Sequence, residues 1–211
     1  MLEVKPDSAQ TCKLLEQVSQ GNRQALDRLL ARHQPDLEAF SRIHLDTGLR
    51  ARLDPSDLVQ EVQLEAVERI HDYLERRPMP FHLWIRKTAY QRLLHLRNRR
   101  CNAARRSVVR EVPLPDRSSL LLAAPLLAGG PSPSQQAESR ELAERISQAV
   151  AELAEADREL LLMRHAQQMP YEEIALLLDV EPAAARKRYG RALIRLQKVL
   201  VKHGLLEKPH E

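Results

Sequence analysis

The chain has 211 residues, with 33 Lys and Arg against 29 Asp and Glu, a formal charge of +4 and 43% hydrophobic residues, enough for one or two small cores. Aromatics make up only 3% and glycines number 6, while Leu, Ala, Arg, Glu and Gln abound. That composition favours helix and excludes all-β and doubly wound folds. Cys12 and Cys101 lie far apart without patterned Cys or His neighbours, so neither a disulfide framework nor a thiolate metal site is expected.

In chain order, the opening MLEVKPDSAQ carries an acid and a proline where a secretory signal needs an apolar core. Nowhere do about 18 uncharged apolar residues run together, so a cytoplasmic protein with no membrane insertion is expected. Leu26, Leu29, Leu30, His33, Leu37 and Phe40 then recur at the spacing of one helical face. Asp54-Pro55-Ser56-Asp57 places a capping side chain before a proline at the first helical position and an acid in the first turn. Leu58, Val62, Ala66, Ile70 and Tyr73 keep one face of that helix apolar to about Leu74. Asp57, Gln60 and Glu61 lie on its polar side, either as solubilising residues or facing a basic partner.

Pro78 and Pro80 break the chain before Phe81, Trp84, Ile85, Thr88, Ala89, Leu93 and Leu96 resume a helical stripe. Residues 10–105 read as a bundle of three or four helices. From Trp84 to Arg110 there is no acid, and Arg86, Lys87, Arg92, Arg97, Arg99, Arg100, Arg105, Arg106 and Arg110 concentrate positive charge. Phe81, Trp84 and Tyr90 lie among these cations, where they serve either as core or as stacking surfaces for unstacked bases.

Between Ser107 and Ala137, five prolines and the pair Gly129-Gly130 leave little room for continuous helix. This interval reads as a linker. Inside it, Leu120 to Leu127 is unusually apolar for a solvated tether, and either packs on a domain or docks on a partner. Downstream, Leu142, Ile146, Ala149, Val150 and Leu153 predict one amphipathic helix, and Asp157 is expected to cap the next. Pro170 to Leu178 predicts a short helix, Asp179-Val180-Glu181 a turn, and Pro182 the start of a long helix to about His203: the helix-turn-helix plan.

The second helix of that plan is again free of acids, with Arg186, Lys187, Arg188, Arg191, Arg195, Lys198 and Lys202. Ala183, Arg186, Lys187, Gly190 and Arg191 share one face, while Ala185, Tyr189, Ala192, Leu193, Leu196 and Leu200 line the other. Two basic elements at the ends of separate helical domains point to nucleic acid, because concentrated cations neutralise phosphate. No His-Glu-x-x-His, Gly-rich phosphate loop or Gly-x-Ser-x-Gly is present, and the histidines lack ligand spacing; no enzyme active site, cofactor or metal is expected.

Taken in order, Asp54-Pro-Ser-Asp-Leu-Val-Gln-Glu-Val62, Phe81-x-x-Trp84-Ile, the Arg-rich helix end, the Pro-rich linker, Tyr171-Glu-Glu-Ile-Ala175 and Arg186-Lys-Arg-Tyr-Gly-Arg-Ala192 resemble bacterial RNA polymerase sigma factors of the extracytoplasmic-function group. The resemblance covers about residues 10–105 and 138–203. It implies an all-α chain with an N-terminal bundle over 1–106, a linker over 107–137 and a C-terminal helix-turn-helix domain over 138–211. It further implies that Asp57, Gln60 and Glu61 dock on core RNA polymerase. Arg92, Arg97, Arg99, Arg100 and Trp84 would recognise and open the downstream promoter element, and Arg186, Lys187, Arg188 and Arg191 would read the upstream one. Family members are often held by an anti-sigma protein. Asp179 stands where the family usually has Gly, a position Asp tolerates in left-handed backbone. The competing readings are a helix-turn-helix regulator acting without polymerase, which leaves the N-terminal bundle unexplained, and a nucleic-acid-processing enzyme, which needs a carboxylate cluster that the basic segments lack.

Overall fold

A computed structural model describes residues 4–45, 47–50, 53–104 and 136–206. Leu120 to Leu127 and nearly all of the interval read as a linker lie outside the described residues. The described elements are all helical, as the composition requires. The chain divides into two compact units, Met1–Leu45 with Leu49–Arg110, and Asp46–Gly48 with Glu111–Glu211.

In the first unit, α1 (Ala9–Ser19) starts at Ser8, whose hydroxyl accepts from the Thr11 N–H at 3.2 Å. Gly21, at φ 84°, takes the left-handed turn that Cβ-bearing residues resist, and Asn22 caps α2 (Arg23–His44) by accepting from Ala25. A short α3 (Thr47–Arg50) follows. α4 (Pro55–Arg76) carries the expected cap: the Asp54 carboxylate accepts from Ser56 N–H at 2.8 Å, and Asp57 accepts from Asp54 N–H at 3.0 Å. It runs past Leu74 and ends where Arg77 turns left-handed at φ 37°.

α5 (Phe81–Ala104) has its cap supplied from the start of the chain. The Asp7 carboxylate accepts from Phe81 N–H at 2.7 Å and His82 N–H at 3.3 Å, and lies 3.1 Å from His82 Nδ1. These bonds satisfy two of the donors left open at the start of the helix. The core is built from Leu14, Leu15 and Val18, Leu29, Leu37 and Phe40, the α4 stripe Leu58, Val62, Ala66, Ile70 and Tyr73, and Phe81, Leu83, Ile85, Ala89 and Leu93. Each such leucine, valine or phenylalanine is worth about 1.5–3 kcal/mol when fully buried.

In the second unit, α6 (Gln136–Ala151) already includes Gln136 and Ala137, the end of the expected linker. α7 (Glu155–Leu161) starts at Ala154, so Asp157 falls inside the first turn instead of capping it. Its buried carboxylate accepts two bonds from Arg195 of the last helix, at 2.8 and 2.7 Å, a long-range partner that sequence spacing does not reveal. A π-helical turn, Leu162–Ala166, leads to α8 (Tyr171–Leu178). Asp179 then adopts the left-handed conformation at φ 51°, and α9 (Pro182–Lys202) begins with proline in its first turn. Leu160, Leu161, Leu162, Met163, Ile174, Leu177, Ala185 and Ala192 are buried and fix α8 against α9.

Candidate nucleic-acid interface

Burial of Ala185, Ala192 and Leu200 orients α9, so that Arg186, Lys187, Arg188 and Arg191 are all exposed. A Cβ added at Gly190 would meet nothing within 4 Å, so no packing within the chain demands glycine there. Leu193, expected on the buried side, is instead exposed along with Ile194, because the contact face narrows to Ala192, Leu196 and Leu200 as the helix leaves the turn.

One side of this surface is held by aromatics. The Arg164 and Arg186 guanidiniums lie over the Tyr171 ring, at 5.0 and 5.2 Å from its centroid. Tyr171 meets Tyr189 edge-on at 5.7 Å, and the Tyr189 hydroxyl shares a 2.7 Å hydrogen bond with His165 Nε2. Burial pushes the Tyr189 phenol up, with Tyr171 adding to the shift and Arg164 opposing it. Sequence reading missed this group, although the aromatics at 171 and 189 beside arginines were a visible signal.

The first unit distributes its predicted site residues less simply. Arg99 is exposed, and Arg100 belongs to α5 with a side chain outside the described residues. Arg92 donates through Nε to Glu61 at 2.8 Å, joining a predicted DNA contact on α5 to a predicted polymerase contact on α4. The Glu61 hydrogen bond, foremost, and its charge hold the Arg92 pKa above the usual value against a smaller opposing effect of burial.

Two of the predicted DNA contacts lie inside the bundle. Trp84 is only 7% exposed, packed 4.7 Å from Tyr73 and 5.5 Å from Phe81 between ring centroids, because it falls on the apolar stripe that builds the bundle. Arg97 is also 7% exposed and donates to the His44 carbonyl at 2.6 Å.

On α4, Asp57 is exposed but engaged in the capping box, and Gln60 is exposed. Leu64, 65% exposed, and Val67, 43% exposed, extend the Gln60 face along the helix. They are apolar residues that fall off the core stripe, which was the sequence signal for them. Among the described residues no cluster of His, Cys, Asp or Glu could hold a metal ion, and no helix is long and apolar enough to cross a membrane.

A helix-turn-helix with an exposed cationic stripe, in a chain that also folds a separate helical unit, defines a two-unit all-α DNA-binding protein. Residues 143–196 match the Sigma-70 region 4 family model. The RNA polymerase sigma factor CnrH of Cupriavidus metallidurans is 27% identical over 187 residues, covering 89% of this chain and 92% of that protein. The fold is similar to CnrH solved in complex with the cytosolic domain of CnrY (TM-score 0.56, 22% identity, 92% of this chain and 99% of that one). It is also similar to the sigma factor RpoE solved with the anti-sigma factor NepR from Bartonella quintana (TM-score 0.51, 17% identity, 83% and 96%). Residues 143–196 thus match a sigma-factor region, and the chain is similar to an RNA polymerase sigma factor along most of its length.

Proposed function

We propose that this chain is an RNA polymerase sigma factor of the extracytoplasmic-function group and binds core RNA polymerase through the outer face of α4, with Asp57, Gln60 and Glu61 joined by Leu64 and Val67. The basic end of α5, with Arg92, Arg99 and Arg100, then holds the single strand exposed when the downstream element melts, while Trp84 and Arg97 support that helix from inside the bundle. On α9, Arg186, Lys187, Arg188 and Arg191 read the upstream duplex. The observation that carries this division is the exposed cationic stripe of α9 on a buried helix-turn-helix scaffold, within the segment that matches region 4.

Physical chemistry supports the arrangement. Cations on the exposed side of a recognition helix reach both phosphates and the base edges of the major groove. A second basic element suits a melted strand, and joining both on one chain raises the effective concentration of the second contact once the first is made. The boundaries proposed for the parts are 1–106, 107–137 and 138–211. The protein works in the cytoplasm, without cofactor or chemistry of its own, alongside a polymerase that supplies catalysis. An anti-sigma protein that covers these surfaces is the matching form of control, in keeping with the partners of the two solved relatives. A regulator acting without polymerase is not favoured, since the similarity to a sigma factor runs along most of the chain.

Run-off transcription from a genomic fragment library, with core polymerase alone and with this protein added, tests the proposal. Discrete new transcripts that require the protein are expected. Identical transcript patterns with and without it would refute it.

A further inference from the structure

Resting on the reading of α9 as the upstream recognition helix, we infer that Tyr171 is a positioning residue for sequence reading: its ring fixes the direction of the Arg186 guanidinium, while Tyr189, pinned by His165, fixes the ring. Arg186 is exposed and its long side chain is free to sample many rotamers, so a base-reading role costs ordering entropy at each binding event. The structure offsets that cost before DNA arrives. Tyr171, at the start of α8, places an aromatic face 5.2 Å from the Arg186 guanidinium, well within the range of a cation–π attraction.

The ring itself is braced by Tyr189 from the same helix as Arg186, at 69° and 5.7 Å, and Tyr189 is tied to His165 in the π-helical turn. Three elements thus converge on one arginine. Arg164, 5.0 Å from the centroid of the same ring, is a second cation on this aromatic platform. Discrimination at the base pair read by Arg186 therefore depends on Tyr171, whose role is exerted through the arginine.

The test uses holoenzyme on an upstream element recovered by run-off transcription, and measures relative affinity for that element and its single-base variants. R186A defines the base pair that Arg186 reads. Y171L, which keeps apolar volume but removes the π face, should lower discrimination at that one base pair by roughly 2- to 5-fold, the worth of an exposed cation–π contact. Y171F, which keeps the face, should retain it, and H165A should fall between wild type and Y171L. Circular dichroism checks that each variant keeps its helices, and H165A carries the test if Y171L loses them, wild-type discrimination in H165A then overturning the inference.

Wild-type discrimination in Y171L would overturn the inference. So would a loss in Y171F, which would assign the effect to the hydroxyl. If R186A itself relaxes no position, the recognition-helix reading fails and this inference with it; a relaxed R186A beside an unchanged Y171L overturns the inference alone.

Discussion

Removing the Asp7 carboxylate should loosen the first unit at α5, the helix proposed to carry the downstream promoter contacts. Asp7 is 10% exposed at its side chain and accepts from two backbone N–H groups of α5 while contacting the His82 ring. D7A leaves those donors in a partly buried setting, and an orphaned buried donor costs about 1–3 kcal/mol, whereas loss of an exposed cap costs nearer 1. A destabilisation of about 2 kcal/mol is expected. Burial raises the Asp7 pKa, but the hydrogen bonds from His82 and the Phe81 and His82 backbones outweigh it and leave the pKa below the ordinary carboxylate value. The native state thus favours the ionised form. Its contribution is complete above the unfolded pKa of about 4 and is lost as pH falls through the depressed native value. The chain has a single tryptophan, Trp84, buried in this unit, so its fluorescence during urea unfolding follows that unit in the full-length protein. The difference between wild type and D7A should be largest at pH 7 and shrink as the pH is lowered below 4. Equal midpoints at pH 7, or a gap that widens in acid, would refute the capping argument.

Leu64→Asp places a charge at a site already open to solvent, so the urea midpoint should change by no more than about 0.5 kcal/mol while affinity for core polymerase falls at least tenfold in a binding titration. Asp157→Ala removes the buried acceptor of Arg195, and the second unit should lose about 1 kcal/mol, read from its amide hydrogen exchange; the modest figure reflects the half-exposed arginine. Arg188→Ala should weaken upstream binding by holoenzyme, either by about 1–3 kcal/mol at one base pair or evenly across sequences, according to whether it meets a base or a phosphate. Arg99→Ala with Arg100→Ala should leave polymerase binding unchanged but demand a pre-melted template for transcription.

Much of this architecture is readable from local pattern. Asp54-Pro55-Ser56-Asp57 specifies its cap within four residues, and the structure realises it bond for bond, since capping depends only on neighbouring backbone. Asp179 likewise declares its turn through the backbone freedom of its own residue type. Contacts made across the fold are another matter. Nothing near Asp7 signals that it caps a helix beginning at Phe81, and Asp157 carries the local look of a cap while serving Arg195. Trp84 and Arg97 show the same limit from the functional side. Their residue types suit a single strand, but apolar periodicity places Trp84 in the core, and only tertiary structure brings the His44 carbonyl to Arg97. The Arg186 and Tyr171 pair is a tertiary contact of the same kind, with its members placed together by the turn between α8 and α9.

Strand opening is the activity that separates a sigma factor from an ordinary duplex-binding regulator. Permanganate footprinting on a promoter recovered by run-off measures it directly, because unpaired thymines react and paired ones do not. Reactive thymines downstream of the recognised element should appear only when core polymerase and this protein are both present, and should fade in the Arg99→Ala, Arg100→Ala variant. A protein that shifts duplex DNA on its own, yet yields no reactive thymines with polymerase, would contradict the account.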